Sequence, residues 1–547
     1  MPPPFRRATP SGEKPWTPCN NEPAAPAQDL SPAPAKSGPP REIELKLAAS
    51  PEALETLRGA DLIARHARNQ GVTRRLDAVY YDTLDRLLDR NGLALRVRRS
   101  GKRHVQTLKR SGSSDPLARD EWEVALPDGT LDLSLLPLAE IGEPLASLSA
   151  GQLAPVFATR IRRRLRRLDY AGALIEIAFD DGMIEAGEKS LPVSEVELEL
   201  KEGEAAALYE LGLAMLDIVP LQVATQSKSA RGYGLAFARL PRAVKAKPIE
   251  LGAHDNADAA IAAILGNTYQ QLLGNLAPVT TQSGPEGVHQ MRVSLRRLRS
   301  ALSVLKREIA SPAFEPIGRE AKRLGHVLGP ARNWDVFITQ TVPDIEAEGL
   351  DDAGLLALRK AAEPFQATSY AAIAERLANP QTSRFLLSFG ALIERRGWRS
   401  GLPSEAMAVL AEPAADFAVR VLARTHRQAL KRGRGFGSLR PEARHQLRLA
   451  LKKLRYTAEF FLPLYEGSAA RKYLGRLSRL QEALGLANDA ATTQHLLAEL
   501  RGGKAPEPEL HFAAGAIHGW QSRHTIEAGR KLKRRWRRFE AANPFWT

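Results

Sequence analysis

The sequence predicts an α+β domain of antiparallel strands followed by an all-α domain built on a duplicated helical unit. Three observations carry this. The 547 residues exceed what one hydrophobic core supports, so roughly two to four domains are expected. From 41 to about 201 apolar and polar residues alternate with a period of two, and beyond about 251 the period becomes helical. Within the helical part "HQMRVSLRRLR" at 289–299 returns as "HQLRLALKKLR" at 445–455, an offset of 156, and Leu328 and Gly329 return at that offset as Leu484 and Gly485.

In chain order, residues 1–40 are rich in Pro, Ala and Ser, lack hydrophobic periodicity and read as a disordered leader. The strand domain runs 41–240. Its segments "REIELKL", "LALRVRR", "HVQTLKR", "RDEWEVAL", "RIRRRLRRL", "LIEIAFDDG" and "SEVELELK" are punctuated by turn signals such as "PDG" and "DDG", which predicts an antiparallel meander. Residues 51–58 and 204–216 read as helices, and the basic segment "QSKSARGYG" follows. "PRAVKAKP" at 241–248 opens a linker, 241–251, and the helical domain occupies 252–547.

Composition excludes several classes. Apolar residues make up 44% and charged residues 26%, ordinary for globular protein, and no run of about 18 apolar residues is present to span a bilayer. Arg6 and Arg7 are not followed by an apolar segment, so no secretory or twin-arginine signal is expected and a cytoplasmic location is. With Cys19 the only cysteine, disulfides within the chain, thiolate zinc and iron–sulfur ligation are ruled out. A net charge of +16 points to an anionic partner, whether nucleic acid, acidic lipid or condensed phosphate.

Successive side chains of a strand point to opposite faces. Glu42, Glu44 and Lys46 therefore share one face, and Ile43, Leu45 and Leu47 the other. The same rule joins Arg96 to Arg98, Thr107 to Lys109, Arg119 to Glu121 and Glu123, Glu176 to Asp180, and Glu195 to Glu197 and Glu199. In a sandwich that charged face would meet solvent. In a closed barrel it would line the interior, which is stable when the charges pair, bind metal or bind a charged ligand. Clustered carboxylates suit Mg²⁺ or Mn²⁺, and arginines suit phosphate oxygens.

Seven ordered segments, "EIELKL", "YYDT" at 80–83, "LRVR" at 95–98, "QTLK" at 106–109, "RDEWE", "EVELELK" and "SKSARG", resemble the CYTH superfamily, the triphosphate tunnel metalloenzymes, and most closely its bacterial inorganic triphosphatase branch. The resemblance implies an eight-stranded antiparallel tunnel with a basic interior for a triphosphate chain and acids for divalent metal. Matched position by position, it implies Glu42, Glu44, Glu121, Glu123, Glu197 and Glu199 on the metal side, and Glu42, Glu44 and Lys46 as catalytic. It implies Arg96, Arg98, Lys109, Arg119, Arg163 and Lys228 as phosphate-binding. The arginine after "FAT" falls on Arg163 or, after a one-residue slip, on Arg162. Mg²⁺ or Mn²⁺ is the implied cofactor, and the implied chemistry needs no covalent nucleophile, with Glu42 or Glu44 orienting the attacking water.

In the helical domain His289, Arg292, Arg296 and Arg299 stand at i, i+3, i+7 and i+10 and share one helix face; His445, Arg448, Lys452 and Arg455 repeat the spacing. Val293, Leu295 and Leu298, and Leu449, Leu451 and Leu454, supply the apolar sides. Like charges on a ridge repel by a few tenths of a kcal/mol per pair, so a ridge built twice makes sense beside a polyanion. Neither histidine has ligand-type neighbours at metal-site spacing. This half resembles the CHAD domain, the conserved histidine α-helical domain, with "LGPARNWDV" at 328–336 and "LGLANDAAT" at 484–492 in support. The resemblance implies two pseudo-symmetric helical bundles that bind inorganic polyphosphate. It departs from the family at Asn333, where Asp is usual and the second copy has Asp489. The run "GRKLKRRWRRF", around Trp536, either extends that basic surface or binds nucleic acid by charge and stacking.

The two resemblances imply metal-dependent hydrolysis of inorganic triphosphate joined to binding of long-chain polyphosphate, with polyphosphate granules as a place of association. Alternatives are a non-catalytic polyphosphate-binding or granule-targeting protein, and a CYTH enzyme acting on thiamine triphosphate or on ATP as a cyclase.

Overall fold

The structure, a computed structural model, describes residues 41–110, 117–142, 145–349, 353–465, 467–501 and 508–546; the leader of residues 1–40 lies outside the described residues. Eight antiparallel strands close a barrel: β1 (Arg41–Ala48), β2 (Val72–Thr83), β3 (Leu93–Ser100), β4 (Arg103–Arg110), β5 (Ala118–Leu126), β6 (Leu153–Tyr170), β7 (Ala173–Ala186) and β8 (Lys189–Glu202). Their order is β5-β4-β3-β2-β6-β7-β8-β1, and the ring closes where Arg41, Glu42 and Ile43 pair with Asp120, Arg119 and Ala118. A two-residue strand, β9 (Gln222–Val223), takes up the edge of β1 that β5 leaves, opposite Leu47 and Ala48.

"DDG" is not a turn. Asp180, Asp181 and Gly182 lie inside β7, opposite Glu195, Ser194 and Val193. The glycine is needed for close approach and not for reversal: a Cβ there would sit 2.0 Å from the Arg160 carbonyl oxygen of β6. The chain turns instead at Gly187, with φ 58°.

The apolar strand faces turn outward. Leu45, Leu47, Ile175, Ile177, Val196 and Leu198 are buried in one core with Leu54 and Leu57 of α1 (Pro51–Arg58) and Leu208, Tyr209 and Leu211 of α2 (Ala206–Leu216). Helices thus cover the outside, and the charged faces are left to the lumen. A third helix, α3 (Lys228–Ala236), packs on β6, β7 and β8, and its N-terminus is capped by Ser227, whose Oγ accepts from the Ala230 amide at 3.1 Å. Residues 241–251 carry neither helix nor strand. They are nevertheless held: Asn275 exchanges hydrogen bonds of 3.0 and 2.8 Å with the Val244 backbone, and Asn267 Nδ2 donates to the Lys247 carbonyl at 2.9 Å.

The helical half begins with α4 (Ala257–Gly274), α5 (Pro285–Glu308), α6 (Phe314–Val336) and α7 (Ala353–Ala378), followed by α8 (Pro380–Glu394). A second set, α9 (Ala414–Gly433), α10 (Pro441–Phe461), α11 (Ser468–Arg501) and α12 (Pro508–Glu540), repeats the first four. The histidine helices α5 and α10 both start on proline, Pro285 and Pro441, a residue preorganised for the first helical position. Their apolar stripes are Val288, Met291, Leu295, Leu298 and Leu302, and Leu447, Leu451, Leu454 and Ala458. Leu449, expected on that stripe, is 45% exposed, because it stands two residues, about 200°, from Leu447; Val293 is only half-buried.

Helix α8 joins the halves. Its Gly390 lies against the Tyr209 ring, where a Cβ would sit 2.2 Å from Cε1, and Leu387 and Phe389 enter the same core as Leu208. Arg395 donates at 2.8 Å to both Glu204 and Glu210. No helix among the described residues is long and apolar enough to cross a membrane.

Candidate functional site

The barrel encloses a cavity of about 830 Å³, and the thirteen residues that the resemblance assigns to catalysis, metal and phosphate line it together with Glu176, whereas Asp180 and Glu195 do not. Arg163 is among them, whereas Arg162, one residue along β6, is exposed on the outer face. The pairing across β1 and β8 explains the lining: Glu44 lies opposite Glu199 and Lys46 opposite Glu197, and Glu199 in turn lies opposite Glu176 of β7. Three carboxylates therefore stand in one row across three neighbouring strands.

The opposite wall is cationic. Arg98 Nη2 lies 3.0 Å from Glu123, Arg96 lies 3.7 Å from Glu121 and 3.8 Å from Glu123, and Lys109 Nζ lies 2.6 Å from Glu42 and 3.1 Å from Glu121. Against the effect of burial, Tyr80 and Glu121 hold Arg96, and Glu42 holds Lys109, above their ordinary values, but Arg98 is not balanced in this way. Arg98 is pushed down to about 10, first by Arg96, then by burial, with Arg163 adding to the effect. Arg119 has no carboxylate partner among the described residues. On the acidic row Glu199 is pushed up, first by burial and then by Glu42 and Glu176, against the pull of Lys201.

A third zone was only partly legible in the sequence. Asp180, Glu195 and Glu197 are buried together with oxygens close enough to share one cation. The sequence grouped these acids by face but did not show that Lys46, Arg163, Lys228 and Arg231 converge on them. Lys228 Nζ lies 2.6 Å from Asp180 and 2.8 Å from Glu197, and also pairs with Glu195. Lys46 Nζ lies 2.5 Å from Glu197 and also pairs with Glu44; Arg163 lies 2.5 Å from Asp180 and also pairs with Glu197; Arg231 lies 2.5 Å from Glu195. Burial alone would raise Glu197, but Lys228, Lys46 and Arg163 hold it well below the usual carboxylate range. Four cations pair with this group, which braces Lys46, Arg163 and Lys228. Arg231 follows Lys228 by three residues on a helix, a spacing that could have flagged it.

In the helical half the two ridges meet. Lys452 is pushed down to about 8 by burial first and then by Arg448, Arg296 and Arg292, and Arg292 to about 10 by burial, Arg296 and Arg332. In the first copy the repeated glycine leaves room for the ridge, since a Cβ on Gly329 would sit 3.1 Å from Arg292 Nη1; in the second a Cβ on Gly485 would make only ordinary contact with Arg448, at 3.9 Å from Nη2. Arg299 joins Arg292 and Arg296 along a groove of about 260 Å³ against α6, while Arg455 is drawn to Glu459 at 2.7 Å. His289 is half-buried and held low, by burial first and then by Arg332, whereas His445 is exposed. Arg332, not foreseen, precedes Asn333; Asp335, buried and bonded to Gln366 at 2.7 Å and Tyr370 at 3.1 Å, supplies the nearby acid that Asp489 supplies in the second copy. Trp536, considered for base stacking, is itself buried against Phe436 at 5.3 Å and is closed to a base.

A CYTH domain family model matches residues 40–233 and a CHAD domain model residues 263–498. The chain is 31% identical over 200 residues to the inorganic triphosphatase of Haemophilus influenzae (strain ATCC 51907 / DSM 11121 / KW20 / Rd), a match over 35% of this chain and 54% of that protein, so it spans about half of that relative's length. It is 25% identical over 409 residues to an uncharacterized protein of Mycobacterium tuberculosis (strain CDC 1551 / Oshkosh), covering 71% of this chain and 76% of that one. The crystal structure of the CHAD domain from the plant Ricinus communis is similar at 29% identity and a TM-score of 0.48, over 55% of this chain and 98% of that one. The chain is thus a CYTH domain followed by a CHAD domain.

Proposed function

We propose that the barrel hydrolyses inorganic triphosphate with Mg²⁺ or Mn²⁺, and that the helical half binds long-chain polyphosphate. One observation carries the first part: the lumen is split into a row of crowded carboxylates, Glu44, Glu199 and Glu176, and a wall of crowded cations around Arg98. A metal-bound triphosphate presents both complementary charges. The likeness to the Haemophilus influenzae inorganic triphosphatase supports the choice of substrate.

Glu42, Glu44 and Glu199 offer hard oxygen donors for such a cation. When bound, the cation would neutralise phosphate oxygens and lower the pKa of a water. Arg96, Arg98, Lys109 and Arg119 grip the chain, and Lys46, Arg163 and Lys228, fixed by the buried acids, hold its reacting end. Glu44 or Glu42 orients the attacking water and accepts its proton. Glu121 and Glu123, expected on the metal side, lie among Arg96, Arg98 and Lys109 and serve there to position those cations; Glu197 braces Lys46 in the same way.

The test is phosphate release from triphosphate, ATP and thiamine triphosphate, with Mg²⁺, with Mn²⁺ and with chelator. Cation-dependent turnover is expected to be fastest on triphosphate. Faster turnover of ATP or thiamine triphosphate would reassign the tunnel to an organic substrate, and no turnover on any of them would leave a binding protein.

A further inference from the structure

A hollow of about 710 Å³ opens on another flank of the helix pair that carries the ridges, between the last turn of α5, the second half of α9 and the start of α10. Arg307, Arg424, Arg427, Lys431, Arg432 and Arg434 line it, and no carboxylate does. Arg424 pairs with Glu308, and Arg307 reaches the neutral Gln428 at 3.5 Å. Among the described residues, Arg307, Arg427, Lys431, Arg432 and Arg434 have no carboxylate partner.

Such crowding has a physical cost. Exposed like charges on a convex surface are separated by water, but cations converging on a concavity focus their fields into it. Lys453 registers the effect: it is pushed down to about 8, by burial first and then by Arg307 and Arg424, and its ammonium donates to Ser303 Oγ at 2.8 Å. Five of the six lining cations are arginines, whose planar forks take two phosphate oxygens at once. Hollow and ridge share α5, on which Arg307 of the hollow lies eleven residues, about 16 Å along the axis, beyond Arg296 of the ridge.

We propose that this hollow is a second anion site, and that a condensed phosphate chain long enough to reach both engages hollow and ridge together. The inference rests on the reading of the helical half as a polyphosphate binder. Two sites on one rigid helix pair act on a long chain at high effective concentration, whereas a short chain occupies one of them. Duplex DNA, with a persistence length of about 50 nm, would have to be bent at a cost to follow such a path, whereas a single phosphate chain is not a stiff rod.

The experiment uses the full chain with Arg427→Glu and Lys431→Glu combined, both positions being exposed. Binding of long-chain polyphosphate and of tripolyphosphate is measured at several salt concentrations beside wild type and Arg296→Glu. The double variant is expected to lose at least tenfold in long-chain affinity, to show a flatter salt dependence by about two contacts, and to hydrolyse triphosphate at the wild-type rate. The neutral pair, Arg427→Gln with Lys431→Gln, should move the same way by less, which excludes misfolding as the cause. Unchanged affinity and salt slope in both pairs, with Arg296→Glu impaired, would overturn the second site and leave the ridge reading standing. Wild type that does not bind long-chain polyphosphate would overturn that reading and the proposal with it. Duplex DNA displacing polyphosphate at equal charge from wild type but not from the double variant would assign the hollow to nucleic acid and overturn it.

Discussion

Lys109 Nζ on β4 lies 2.6 Å from Glu42 Oε2 on β1, so an ion pair spans the seam at which the barrel closes. Burial alone would lower the lysine, but Glu42 raises it above its ordinary value. Lys109→Met should leave Glu42 unpaired beside Glu199 and lower kcat/KM for triphosphate by about 10- to 100-fold, the worth of one charge-assisted hydrogen bond. Lys109→Arg should recover stability more fully than turnover. Steady-state kinetics with a melting curve separates the two, and wild-type turnover in the methionine variant would remove this lysine from the site.

Glu44→Gln keeps the shape of the side chain and removes one charge from the acidic row. Lys46 retains its partner Glu197 at 2.5 Å, so the fold should survive. Metal-dependent turnover is expected to fall by about 100-fold or more, with Tm changed little. Turnover that persists at the wild-type rate and metal dependence would show that Glu44 neither holds the cation nor orients water.

Lys452 titrates in the folded protein near 8, below its ordinary 10.5, facing Arg448, Arg296 and Arg292 with Asp489 in partial compensation. Between those values the unfolded chain binds the proton and the folded chain does not, so stability rises with pH across the window. A bound polyanion favours the ammonium, so polyphosphate affinity should fall as pH climbs from about 8 toward 10. Lys452→Arg stays charged and should make that fall shallower. An equally steep decline in the arginine variant would assign the pH dependence to another group.

Because the ridges converge, reversing either one should interrupt a shared track. Arg296→Glu and Lys452→Glu, made singly, are each expected to weaken long-chain binding at least tenfold and to leave triphosphate hydrolysis unchanged. Isothermal titration at two salt concentrations checks this, since each lost phosphate contact reduces the salt slope by about one. Loss in one variant only would mean two independent sites.

Gly390 faces the Tyr209 ring at a distance that leaves no room for a methyl group. Gly390→Ala should cost about 1–3 kcal/mol through overpacking. Since Leu208 and Phe389 share one core, the strand and helical halves should melt together, at a lower common Tm. Two separate transitions, with only the helical one shifted, would show that the halves unfold independently.

The two-residue alternation in "REIELKL" and "SEVELEL" was enough to place Glu42, Glu44 and Lys46 on one face of their strand and Glu195, Glu197 and Glu199 on one face of theirs, because side-chain direction within a strand is a local property of the backbone; that the two faces stand side by side came from the pairing of β1 with β8. The helical period and the 156-residue repeat likewise fixed both cationic ridges. What the alternation could not say is which face is inside. That depended on the pairing of Arg41–Ile43 with Ala118–Asp120 and on α1 and α2 covering the outer face, contacts between residues far apart in the chain. The same holds for Arg163 over Arg162, decided by the register of β6; for "DDG", drawn into β7 because Gly182 permits β6 to come close; and for Leu447 over Leu449, decided by which side α10 presents to the core. Local sequence sets which residues travel together, but closure and packing decide where they point, because burial energy belongs to the whole assembled surface and to no single segment.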